Sequence, residues 1–65
     1  MRLTVFWERM HGRFGAAYAD WLAHDLVIAG LGGRTVNAAL EAGEEPGVVW
    51  AAVCDAVEVP LHERH

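Results

Sequence analysis

Apolar residues recur along this chain at helical intervals. Leu3, Phe6, Trp7, Met10 and Phe14 stand at i, i+3, i+4, i+7 and i+11, which places them on one stripe of a helix. Thr4 can accept from a free N–H of a first turn, so a first helix is expected over about residues 4–13, fraying at Gly12 and Gly15. A second helix, over about residues 16–29, carries Tyr18, Trp21, Leu22, Leu26 and Ile28. That is more apolar surface than one narrow stripe needs, as in a central helix touched from two sides. Gly30, Gly32 and Gly33 follow, and a glycine there can take the left-handed conformation that closes a helix. Thr35 is a candidate N-cap for a third, short helix with Val36, Ala39 and Leu40 on its buried face and Gly43 after it. So short a helix is not stable alone. The fourth helix has the clearest start: Glu44 and Glu45 favour the positive end of the dipole, and Pro46 loses nothing in a first turn. Val49, Trp50, Val53, Cys54 and Val57 then share one face, and Pro60 stops the helix.

These elements predict an all-α fold, a compact bundle of four short helices over residues 1–60, with residues 61–65 as a flexible polar tail. No strand-type alternation, repeat or low-complexity tract interrupts the pattern. With 65 residues the chain has room for one small core. Three Trp, two Phe and one Tyr supply its bulk, so the aromatics are expected in the interior. No apolar run approaches the roughly 18 residues of a membrane span. The first residues carry charges where a secretory signal has its apolar stretch.

Charge and missing residue types narrow the chemistry. The chain contains no Ser, Lys or Gln, so a Ser nucleophile, a Schiff-base Lys and a Walker-type Lys are all excluded. Its single cysteine, Cys54, excludes an internal disulfide and an all-cysteine metal site. The net charge of −4 is uneven: residues 1–34 hold four Arg against Glu8, Asp20 and Asp25, while residues 35–65 hold one Arg against six acids. An acidic second half is a poor match for phosphate backbones.

Taken together, Met1-Arg2-Leu3-Thr4, Phe6-Trp7-Glu8-Arg9-Met10, Phe14-Gly15-Ala16-Ala17-Tyr18-Ala19, Leu31-Gly32-Gly33-Arg34-Thr35-Val36 and Ala52-Val53-Cys54 resemble the DUF3046 family of small actinobacterial proteins without an assigned function. Trp21, Asp25, Ala39-Leu40, Ala42-Gly43, Pro46, Val49-Trp50 and Pro60 extend the resemblance over nearly the whole chain. It implies a compact helical cytoplasmic protein, often encoded beside a recombinase and its regulator. It brings no catalytic residues with it.

The chemistry-bearing residues mostly have structural readings. Cys54 lies on the buried face of the fourth helix and behaves there as a small hydrophobe. His62 and His65 are three apart, but a zinc site needs tighter and more numerous ligand spacing than they offer with His11 or His24. Asp20 and His24 are four apart on one helix face. Asp25 sits near the apolar side, where it would accept hydrogen bonds from Trp N–H groups, Arg34 or the Thr35 region. Gly30 to Thr35 resembles an anion-binding turn, yet capping accounts for every residue in it. Catalytic, cofactor-binding and metal-ligating residues are therefore all expected to be absent.

Helices three and four have helix-turn-helix proportions. The outward residues of the fourth helix, Gly47, Val48, Ala51, Ala52, Asp55 and Ala56, include no base and one acid, which rules it out as a recognition helix. The small apolar character of Val48, Ala51, Ala52 and Ala56, with Asp55 beside them, makes that face a candidate docking surface for another helix. The expected function is a non-enzymatic interaction or regulatory module, its partner another protein or a second copy. The alternative is an accessory nucleic-acid binder linked to recombination or repair, using a basic edge of Arg2, Arg9 and Arg13.

Overall fold

A computed structural model describes residues 1–64. Four α-helices follow one another, α1 (Leu3–Phe14), α2 (Ala16–Asp25), α3 (Val36–Glu41) and α4 (Pro46–Ala56), with 3-10 turns at Ala29–Leu31 and Leu61–Glu63. Among the described residues no strand forms; a single antiparallel bridge joins Ile28 and Arg34.

α1 begins ahead of the expected Thr4. Its N-cap is Arg2, whose extended backbone presents the first acceptor carbonyl to Phe6 N–H at 3.0 Å, so Thr4 lies inside the first turn and caps nothing. One residue, Gly15, separates α1 from α2. Its φ of 81° with ψ of 154° is open to glycine and strained for any side chain. That kink folds α2 back along α1.

α2 stops at Asp25, four residues before the expected end. Leu26 is extended, and the β-branched Val27 and Ile28 that follow are poor helix continuers. Ile28 instead turns into the core, its N–H bonded to the Arg34 carbonyl at 3.0 Å. Gly32 (φ 70°) and Gly33 (φ 76°) bend the intervening loop, and Arg34 Nε donates to the Leu31 carbonyl at 2.9 Å. These glycines therefore close a loop that buries Ile28 and Leu31, where the sequence suggested they end a helix.

α3 starts as expected: the Thr35 hydroxyl accepts from Ala38 N–H at 3.2 Å. It ends in a Schellman turn, with Gly43 at φ 91° and Glu44 N–H reaching the Ala39 carbonyl at 3.1 Å. α4 is capped by Glu45, which accepts from Val48 N–H at 3.2 Å, with Pro46 at the first helical position. Its far end repeats the Schellman geometry without glycine. Val59 N–H bonds the Cys54 carbonyl at 2.9 Å, and Glu58 occupies the left-handed position at φ 56°.

The core gathers Phe6 and Met10 from α1, Leu22 from α2, Leu31 from the loop, Val36 from α3, and Val49, Val53 and Cys54 from α4, all essentially without solvent exposure. An aromatic seam joins α1 to α4. Phe6 meets Trp50 edge-on with ring centroids 6.4 Å apart, Trp7 packs against Phe6 at 5.1 Å, and Phe14 reaches Trp50 at 6.3 Å. Two aromatics depart from the expected interior position: Tyr18 is 47% and Trp21 48% exposed.

Residues 61–64 make more contacts than a polar, frayed tail would suggest. Arg64 donates from Nε to the Val59 carbonyl at 2.7 Å and pairs with Asp55 at 2.7 Å. Its own carbonyl accepts from the Trp50 indole N–H at 3.1 Å. Glu63 pairs with Arg13 of α1. The part of the tail at residue 65 lies outside the described residues.

Candidate functional site

The two faces of α4 divide cleanly. Val49, Trp50, Val53 and Cys54 are buried, and Val48, Ala51, Asp55 and Ala56 are exposed with Ala52 half-buried. The exposed set does not stand alone. Ile28, Ala29 and Gly30, from the loop that leaves α2, run beside it, and together they line a shallow groove of about 420 Å³. A Cβ on Gly30 would stand 3.5 Å from Ala52 Cβ, so loop and helix are in van der Waals range at the groove floor. The groove thus assembles Val48, Ala51, Ala52, Asp55 and Ala56, the five residues singled out by sequence, on one surface. It also adds three residues that the sequence reading assigned to a helix and its cap. Asp55 supplies the one charge in the lining, and Arg64 engages its carboxylate.

The basic edge has a different character. Arg2, Arg9 and Arg13 share one side of α1 by spacing, but acids stand among them. Glu8, Arg9, Gly12, Arg13 and Glu63 line a second hollow of about 410 Å³, and Glu63 holds Arg13. Glu63 comes to this hollow from fifty residues away in sequence, a separation that no local pattern encodes.

The remaining polar residues are surface features. Asp25 is exposed and its carboxylate stands 3.5 Å from His24 Nδ1; neither a Trp N–H nor Arg34 nor Thr35 reaches it, contrary to the expectation of a buried hydrogen-bonding role. The buried side of α2 runs through Ala19, Leu22, Ala23 and the half-buried Leu26, which leaves Asp25 outside. Asp20 pairs across helices with His11 at 3.5 Å rather than with His24. His62 is exposed beside Glu63 at 3.3 Å; its proposed companion, His65, lies outside the described residues. Among the described residues, no three His, Cys, Asp or Glu side chains form a group that could hold a metal ion. Cys54 is buried under the seam, and desolvation pushes its thiol above the usual range, opposite to what a nucleophile needs.

Sequence reasoning missed the exposure of Tyr18 and Trp21. The signal was present: Ala19, Leu22, Ala23 and Leu26 stand at i, i+3, i+4 and i+7, a complete stripe that leaves both large rings outside it.

The DUF3046 family, described as a protein of unknown function, matches residues 1–62. The chain belongs to this family. A Mycobacterium tuberculosis relative, described as a candidate envelope-preserving system protein, is 48% identical over 40 residues, which cover 62% of this chain. The match spans only 14% of that relative's length. No solved structure matches. No helix described for this DUF3046 protein is long and apolar enough to cross a membrane.

Proposed function

We propose that this DUF3046 protein is a non-enzymatic, cytoplasmic interaction module that docks an apolar helix of a partner protein in the groove between α4 and the Ile28–Gly30 segment. The observation that carries the reading is the groove itself. A helix already committed to the core on one face presents Val48, Ala51, Ala52 and Ala56 on the other, and a second chain segment walls that face. Small side chains let a partner backbone come close, and the apolar lining rewards removal of water. In the mycobacterial relative the matching stretch is a minor part of a longer chain, which suits a module that works through attachment. That relative's description links it to envelope preservation, so a partner acting at the envelope fits this reading.

The nucleic-acid alternative draws less support, because Glu63 already compensates Arg13 and Glu8 stands beside Arg9.

The test is site-directed photo-crosslinking in the native host. A benzophenone side chain at position 51 should trap one dominant partner or a second copy, and the same group at the exposed Ala42 should not. Ala56→Trp, at an exposed position of the lining, should abolish that product by filling the groove. Equal, diffuse labelling from positions 51 and 42 would remove the reading.

A further inference from the structure

The exposed aromatic pair on α2 has no part in the groove, and its surroundings specify a ligand chemistry. Tyr18 and Trp21 stack with ring centroids 5.7 Å apart and planes within 15°. Tyr18 is braced edge-on by Phe14 at 5.8 Å, and Phe14 in turn packs on the buried Trp50. The pair is therefore held against the core while leaving about half of each residue in solvent, 47% and 48%. Rings fixed this way lose little conformational freedom on binding. Trp21 is followed one turn later by Asp25, so Tyr18, Trp21 and Asp25 stand at i, i+3 and i+7 on one side of α2. The Asp25 carboxylate is more than half exposed, and among the described residues its one polar neighbour is His24.

We propose that the Tyr18–Trp21–Asp25 stripe is a binding site for an arginine side chain in a basic segment of a partner protein. A guanidinium is flat and weakly hydrated, so it stacks on an indole face while its N–H fork donates to a carboxylate. An ammonium is a strongly hydrated point charge and cannot satisfy both at once as well. Charge complementarity points the same way. Between Arg13 and Arg34 the chain has no Arg or Lys, and the exposed acidic side chains of that stretch are Asp20 and Asp25. Asp20 faces His11 across the α1–α2 junction, which leaves Asp25 as the carboxylate that the helical spacing sets one turn from Trp21.

The site is tested with three short peptides of equal length, one bearing three Arg, one bearing three Lys, and one rich in Pro without charge. Each is titrated into the full chain while the indole resonance of Trp21 and the amide of Asp25 are followed by NMR. The Arg peptide should move both resonances saturably and bind at least several-fold more tightly than the Lys peptide. Trp21→Ala and Asp25→Asn should each weaken it by about tenfold, the effect of losing one principal contact. Both positions are exposed, so the variants should keep the wild-type spectrum elsewhere. Equal response to Lys and Arg would reduce the site to general charge attraction and overturn the proposal. Binding of the Pro peptide in place of the Arg peptide, shifts that depend on protein concentration alone, or Arg-peptide binding that survives both substitutions would overturn it as well. The α4 groove plays no part in this measurement, so Ala56→Trp should leave the peptide response unchanged.

Discussion

α4 and α2 are similar in length and apolar content, yet the fold treats them differently. α4 is fixed at both ends. Glu45 caps its first turn, the Cys54–Val59 hydrogen bond closes its last, and Arg64 lies across its C-terminal carbonyl region. It buries four residues, one of them a tryptophan. α2 has a glycine N-cap without a side-chain bond, ends in an extended leucine, and buries two alanines and a leucine. Its tryptophan faces water. The contrast suggests a division of labour: α4 organises the molecule, and α2 is carried by it and displays its large side chains.

The sharpest way to break that contrast is to make the same truncation in each helix. Trp50→Ala removes a buried indole together with the N–H bond to the Arg64 carbonyl. Loss of a buried aromatic costs about 3–5 kcal/mol, and a domain of this size has a total stability of roughly 3–10 kcal/mol. The variant should therefore be largely unfolded or have a sharply lowered Tm. Trp21→Ala removes a half-exposed ring stacked on Tyr18 and should cost about 1 kcal/mol or less. Urea unfolding followed by circular dichroism reads both. Similar losses in the two variants would mean that α2 supports the fold as much as α4 does.

The difference between these helices also marks where the sequence could be read. The start of α4 was legible because its signals are local: an acid, a proline and an apolar face within one turn of each other. The Thr35 cap of α3 was legible for the same reason. The end of α2 was not, because Leu26, Val27 and Ile28 continue an apolar pattern whose β-branching only weakly disfavours a helix, and the bridge that Ile28 makes with Arg34 joins residues six apart through a loop. The burial of aromatics was half legible. Periodicity gives a face its direction, but which neighbour covers it depends on packing across the chain. Thus Phe6 and Trp50 meet and Trp21 meets nothing larger than Tyr18. The docking face of α4 was readable as the complement of its buried stripe, whereas the opposite wall of the groove depended on the misread loop.

A smaller effect sharpens the account of how α4 is closed. Glu58 holds the left-handed conformation that Gly43 holds after α3, and a side chain there meets its own backbone. Glu58→Gly should relieve that strain at the cost of a more flexible unfolded chain, a net gain of ~0.5–1 kcal/mol. A raised urea midpoint with unchanged slope is the expected result. A loss of stability would mean that the Glu58 side chain contributes more to the end of α4 than its backbone costs.

The smallest effect concerns the other end of α4. The Glu45 carboxylate accepts from the Met1 ammonium at 2.7 Å and also bonds the first-turn amides, and these partners hold its carboxyl below the usual carboxylate range. A carboxyl depressed in the folded state contributes stability that is fully present above its unfolded value and is lost as pH falls through its folded value. The acid limb of a stability profile, from the ordinary carboxylate range downward, should therefore fall less steeply in Glu45→Gln than in the wild type. The glutamine variant should also be the less stable of the two at neutral pH, since an amide carries no negative charge to pair with the ammonium. The two profiles should converge as acid protonates the wild-type carboxyl. Parallel acid limbs would show that the cap at Glu45 holds α4 by its hydrogen bonds alone. The start of α4 would then differ from its end, where the Arg64 guanidinium pairs with Asp55 and donates to the Val59 carbonyl.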